Sequence, residues 1–267
     1  PFNGDLSELD VPSVTHMAGT FAKTQYSGDL STWDVSNVTT MEDLFHESSF
    51  NGDISGWDVS SVTNMKGLFF SSAFNGDVSS WDVSSVTNFQ GTFRDCPFSG
   101  DLSQWNVEQA TDMSSMFFSA APLNSSIGGW HVSNVTNMTD MFKGASSFNK
   151  PIGEWDVSSV ENMMGTFNQA SSFDQPLDNW DVSNVTNMHS LFSSTSFNQP
   201  LGTWDVSQVE SMLAIFWGNA AFNQDISSWD VSSVTNLQRA FGGACAFNQD
   251  IWSWDVSNVT TYNETCK

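Results

Sequence analysis

The chain has 267 residues, and 30 Asp/Glu against 7 Lys/Arg give it a formal net charge of −23. That balance argues against nucleic acid and anionic membrane surfaces, which need cationic patches, and favours cations, basic partners or solubility at high ionic strength. A hydrophobic fraction of 39% with 13% aromatic residues is enough for a core, so this is not a disordered acidic chain, and no apolar run reaches the roughly 18 residues of a membrane span.

The chain opens inside a repeat: Phe2-Asn3-Gly4-Asp5-Leu6 matches Phe50-Asn51-Gly52-Asp53-Ile54. This leads one to expect a processed chain or a segment of a longer array. Trp33, Trp57, Trp81, Trp105, Trp130, Trp155, Trp180, Trp204, Trp229 and Trp254 then follow 24 or 25 residues apart, with Leu9 one period earlier. Those ten Trp and Leu9 mark about eleven units that together span residues 1–267. A fixed period of this size predicts a single continuous stacked solenoid, each unit contacting its neighbours.

Within residues 50–74, Ile54, Trp57 and Val59 have the L-x-x-L-x-L spacing of a leucine-rich-repeat strand. Val62, Met65, Leu68 and Phe69 then step 3, 3 and 1, a helical spacing. The expected fold class is therefore an α/β repeat solenoid, leucine-rich-repeat-like, with one short parallel strand and one short helical turn per unit. Ser158-x-x-Glu161 and Ser207-x-x-Glu210 read as capping boxes at that helix start. Three aromatic ladders should fill the core. They begin at Phe2, Tyr26 and Phe50, at Trp33, and at Phe21 and Phe45, with Leu123 an exception in the first. The Asn after the first-ladder Phe, as in Asn51 and Asn75, should form an inward ladder that bonds backbone groups.

The string F-N-x-D-I-x-x-W-D-V-S-x-V-T-N-M-x-x-L-F resembles the repeat of the BspA-like leucine-rich-repeat surface proteins, including the mycoplasma surface lipoprotein group, and does so over essentially the whole chain. The resemblance implies a cell-surface or secreted protein used for adhesion or partner binding, without catalytic residues.

The residue after Trp is usually Asp: Asp34, Asp58, Asp82, Asp156, Asp181, Asp205, Asp230 and Asp255. Lying between two inward side chains, it should point outward. Carboxylates stacked at about 4.8 Å repel one another. Local hydroxyl and N–H donors, raised pKa values, or bridging calcium could each relieve that repulsion. A second acidic row runs through Asp5, Asp29, Asp53, Asp77 and Asp101, lapses at Ser126, Pro151, Pro176 and Pro200, and returns at Asp225 and Asp250. The first row breaks at Asn106 and His131, which makes this break the first candidate for a partner site, with ordinary repeat drift as the alternative.

The four His residues occupy four different places in the unit and should not gather into one metal or catalytic cluster. Cys245 and Cys266 lie in adjacent units and could form a disulfide, leaving Cys96 buried or paired outside the chain. Asn37, Asn134, Asn184 and Asn258 are N-glycosylation sequons in one shared register. The residue after the third-ladder Phe varies and includes Phe70, Phe118 and Trp217. With Trp252, these are either covered by neighbouring units or form an aromatic contact surface.

Taken together, the residues predict an extracellular or cell-surface, non-enzymatic solenoid for adhesion, partner binding or surface and filament structure, presenting an acidic Asp-lined face. Its partner would be a protein or glycan, or a second copy stacked head to tail. No cofactor is required, with calcium, or magnesium as a second hard cation, as the candidate ion. An ice- or mineral-binding protein using Thr, Ser and Asp rows is the alternative.

Overall fold

A computed structural model describes residues 4–6, 9 and 11–262. It corrects the expected fold class. Among the described residues there is no helix and no strand, only turns, coil and a chain of single-residue parallel bridges. These bridges run His16–Thr40–Asn64–Asn88–Asp112–Asn137–Asn162–Asn187–Ser211–Asn236–Thr261, joining each unit to the next. The molecule is a repeated stack of coil, not an α/β structure.

The unit at 50–74 explains why. Its turns close by i+3 to i backbone bonds: Trp57 N–H to Ile54 O, Val62 to Val59, Leu68 to Met65, Phe70 to Gly67 and Ser72 to Phe69. Gly67 and Ser71 both have positive φ, at 62° and 52°. A left-handed residue every fourth position ends an α-helix within one turn and prevents an extended strand. The i, i+3, i+4 spacing of Met65, Leu68 and Phe69 is thus the period of consecutive β-turns, which also return side chains to one face every three residues.

The same alternation frees other N–H groups to reach the neighbouring unit. Met65, Gly67, Phe69 and Ser71 donate to the carbonyls of Asn88, Gln90, Thr92 and Arg94 at 2.8–3.0 Å, whereas Thr63 and Ala73 donate backwards to Thr39 and Ser48. The two left-handed places recur along the chain, with Gly at some and Asp43, Glu47, Ser115, Asp140, Ala214 or Arg239 at others. A non-glycine residue there costs on the order of 1 kcal/mol, which the inter-unit bonds and the core must exceed.

The proposed capping boxes are also corrected. Ser158 caps no helix: its N–H and hydroxyl both donate to Asp156 Oδ1, at 3.1 and 2.6 Å. Glu161 N–H donates to Thr136 O in the preceding unit.

One hydrophobic core runs without interruption from Val11 to Trp254. Phe21, Phe45, Phe69, Phe93, Phe117, Phe142, Phe167, Phe192, Phe216 and Phe241 form an unbroken stack with centroids 5.5–5.9 Å apart. That distance exceeds the strand-like spacing of about 4.8 Å, so the rings are offset, the arrangement their quadrupoles favour. The first-ladder rings pack against them, as in Phe69–Phe74 at 4.0 Å.

Every described Trp in the repeated row binds back to the previous unit. Its Nε1–H donates to the carbonyl of the residue 27 or 28 positions earlier, from Trp33 to Leu6 through Trp254 to Ile226, at 2.9–3.2 Å. The indole therefore fills the core and satisfies its polar edge at the same time.

The difference between 24- and 25-residue units has a local cause. In short units a hydroxyl three residues after the ladder Phe accepts the N–H of the next Phe: Ser48 from Phe50, Ser72 from Phe74 and Thr195 from Phe197. In long units that place is Ala120, Ala145, Ala170 or Ala244, and one extra residue forms a β-turn. Phe148 then donates to Ala145 O and Phe173 to Ala170 O. Asn219 is the long-unit exception: its Oδ1 accepts from Phe222 N–H while its Nδ2 donates to Thr195 Oγ1 and Phe197 O. Cys96 occupies the hydroxyl place, buried, with its thiol on Phe74 O and its pKa pushed up to about 11 by that burial.

Candidate functional site

Asp34, Asp58, Asp82, Asp156, Asp181, Asp205, Asp230 and Asp255 do point outward and are exposed. Each takes the backbone N–H two residues on, through Oδ1 at 3.0–3.1 Å, which is an Asx turn. The Ser hydroxyl joins it at 2.6 Å at Asp34, Asp58 and Asp156. Asp29, Asp53, Asp77, Asp101, Asp225 and Asp250 make the same turn in the second row.

These donors hold several of the carboxyls below the usual value of 3.8, through the Ser hydroxyl first at Asp34, Asp82, Asp156 and Asp230 and through the backbone N–H first at Asp29, Asp53, Asp77, Asp225 and Asp255. Of the three ways to relieve repulsion, local donation is the one observed, and for these carboxyls the shift is opposite to the raised pKa considered from sequence. Among the described residues, no three His, Cys, Asp or Glu side chains converge as a metal site would require.

The break in the first row is structurally quiet at one end. Asn106 accepts from Glu108 N–H at 3.1 Å and so rebuilds the Asx turn without charge. His131 is exposed and lines a shallow depression of about 340 Å³ with Glu154 and Asp156. The sequon residues Asn37, Asn134, Asn184 and Asn258 are exposed, and each Nδ2 donates to a carbonyl of the preceding unit at 2.7–2.9 Å. Cys245 is exposed, whereas Cys266 lies outside the described residues, so that pairing is not placed. The Asn ladder bonds backbone as expected, Asn51 Oδ1 accepting from Asn75 N–H and Asn198 Oδ1 from Asn223 N–H. It lies at the exposed or half-buried rim, not inward.

The surface that differs from unit to unit lies on the run of turns. One column there reads Ala22, His46, Phe70, Arg94, Phe118, Lys143, Asn168, Ser193, Trp217 and Gly242. Its middle is continuous. His46 packs on Phe70 in a tilted arrangement with centroids 4.5 Å apart, the Arg94 guanidinium sits between Phe70 and Phe118 at 4.9 and 4.3 Å, and Lys143 Nζ lies 5.1 Å from Phe118. Acidic neighbours tie these cations down: Arg94 to Asp95 at 3.3 Å, Lys143 to Asp140 at 3.4 Å and, beside the column, Lys66 to Glu42 at 3.0 Å. A depression of about 260 Å³ opens here, lined by Asp43, His46, Lys66, Phe70, Arg94 and Ser115.

Sequence reasoning noticed Phe70, Phe118 and Trp217 but not the cations between them. The signal was available. Aligning the units places Arg94 and Lys143 in the same column, and stacking at one residue per unit makes column neighbours touch.

These features define a stacked-repeat protein whose core and edge rows largely repeat and whose turn face varies from unit to unit. The chain belongs to the family described as "Mycoplasma protein of unknown function, DUF285", which matches over residues 1–100, 92–199 and 175–267. No curated protein and no solved structure matches it.

Proposed function

We propose that this chain is a non-enzymatic partner-binding protein of the cell surface or extracellular space, acting in adhesion or surface structure through its turn face. The observation that supports this reading most is the contrast between columns. Trp, Phe and Asp columns repeat because stacking, core packing and Asx turns demand them. The column through His46, Phe70, Arg94, Phe118 and Lys143 is under no such demand and holds aromatic and cationic residues in alternation. Such pairs are enriched in binding surfaces because they combine apolar area with a fixed charge. Five of the seven Lys/Arg, namely Lys23, Lys66, Arg94, Lys143 and Arg239, lie on this run of turns.

The resemblance to the BspA-like surface proteins is the basis of the surface location, and the finer family assignment belongs to the same proposal. The Asp rows supply an acidic edge. Calcium enters this reading as a diffuse counter-ion along them, not as a coordinated cofactor. Ice or mineral binding by the Thr row has less support. Thr39, Thr63, Thr87, Thr111, Thr136, Thr186, Thr235 and Thr260 each direct their hydroxyl to a carbonyl of the preceding unit at 3.1–3.4 Å.

Beads coated with the chain are expected to attach to cultured cells or to immobilised matrix proteins. Replacing His46, Phe70, Arg94 and Phe118 together by Ser should reduce attachment severalfold, while the edge variant Asp58→Asn/Asp82→Asn/Asp156→Asn should retain it. Absence of attachment by the wild-type chain, or its loss in the edge variant alone, would overturn the proposal.

A further inference from the structure

Further along the same face, the column changes character at Trp217. Its column neighbours are Ser193, buried, and Gly242, which has no side chain. Phe70 and Phe118 are flanked by cations or His46, but no aromatic ring among the described residues stacks on Trp217, and the indole is 46% exposed. It borders a groove of about 320 Å³ lined by Asn168, Gln169, His189, Ser190, Gln238 and Arg239. The groove thus sets a flat apolar platform beside a wall of amides, hydroxyls and a guanidinium.

A second observation comes from the groove wall. Gln169 is exposed and Gln238 half-exposed there, so each side-chain amide can both donate and accept. His189, also on the wall, has its pKa lowered by burial, so at neutral pH it offers one donor and one acceptor. A sugar ring meets these requirements together. Its C–H face stacks on an indole, its hydroxyls donate and accept in the same plane, and it carries no charge that would be repelled by an acidic body.

We infer that the groove beside Trp217 binds a neutral saccharide, with Trp217 as the stacking platform and Gln169, Gln238 and His189 as hydrogen-bond partners for its hydroxyls. This deepens the partner-binding reading above, and rests on it, by naming the ligand class of one part of the turn face.

The test is a glycan array of neutral and acidic saccharides, followed by calorimetry and NMR of the Trp indole N–H signals with the best neutral hit. Binding should move the Trp217 signal, which is identified by its disappearance in Trp217→Ala. Trp217→Ala should weaken binding about tenfold or more, the scale of a lost stacking contact. Trp217→Phe should recover most of it, and Asp58→Asn, on the acidic edge, should leave it unchanged. An unaltered thermal melt of Trp217→Ala shows that the loss is not unfolding, as its exposure predicts. The inference is overturned if no neutral saccharide binds, if only acidic saccharides or peptides occupy the groove, or if Trp217→Ala binds as wild type. If wild-type beads attach while the wild-type chain binds no neutral saccharide, the broader reading stands and this one falls. If saccharide binding holds while attachment fails in every form, the reverse applies.

Discussion

At the scale of single residues, the repeated Trp-Asp pair carries two separable duties. Trp155 stacks on Trp130 and Trp180 and sends its Nε1–H to Ile127 O at 3.1 Å. Trp155→Phe keeps a ring but removes that donor and some volume, so calorimetric or denaturant melts should register a loss of about 1–3 kcal/mol, with Trp155→Ala reaching about 3–5 kcal/mol. The Asp beside it acts through its turn. Because Asp34, Asp82, Asp156 and Asp230 have folded pKa values below the ordinary 3.8, their contribution is present at higher pH and is lost as pH falls through those depressed values. Asn makes the same turn uncharged, as Asn106 does. Replacing those four Asp by Asn should therefore give a chain whose Tm falls less than that of wild type between about pH 5 and about pH 2.5. An equal fall in both would refute the assignment.

At the scale of one unit, a hydroxyl or an alanine after the ladder Phe selects the period. Ser48 accepts Phe50 N–H and closes a connection one residue shorter than the one in which Phe148 reaches Ala145 O. Deleting Ser146 alone should leave the Phe148 N–H without its acceptor and strain the ladder. Deleting Ser146 together with Ala145→Ser rebuilds the sequence around Ser48, and should recover most of the lost Tm. If the double change melts no higher than the deletion, the hydroxyl does not set the period. The unit was only half legible beforehand. The inward places of Trp57, Val59, Val62, Met65, Leu68 and Phe69 followed from spacing, and all are buried. Their conformation did not, because three-residue steps are common to helices and to successive β-turns. What separates the two is the left-handed backbone at Gly67 and Ser71, and a Ser in that role leaves no compositional mark.

Across the whole molecule, stability should accumulate by neighbour contacts along one axis, since the Phe stack from Phe21 to Phe241 joins ten successive units. A gap in the middle of that stack should uncouple its halves. Phe167→Ala is expected to cost about 3–5 kcal/mol and to split the single unfolding transition into two, or to broaden it visibly, in calorimetry. Phe21→Ala, at one end of the stack, should shift the transition without splitting it. A single sharp transition in both variants would mean that the backbone ladder, not the ring stack, transmits cooperativity.

The sequence by itself determined the repeat, the three core rows and the outward Asp rows, because periodic burial is a property of residue order. It also determined that Asn106 and His131 interrupt one of those rows. Only the tertiary structure decided that the units are coil without helix or strand, since alternating left-handed residues and inter-unit hydrogen bonds are matters of backbone geometry. Only it decided that the carboxylates are held by their own turns. The meeting of His46, Phe70, Arg94, Phe118 and Lys143, and the open indole of Trp217, likewise arise from stacking residues about 24 positions apart in the chain, a proximity created only when one unit lies on the next.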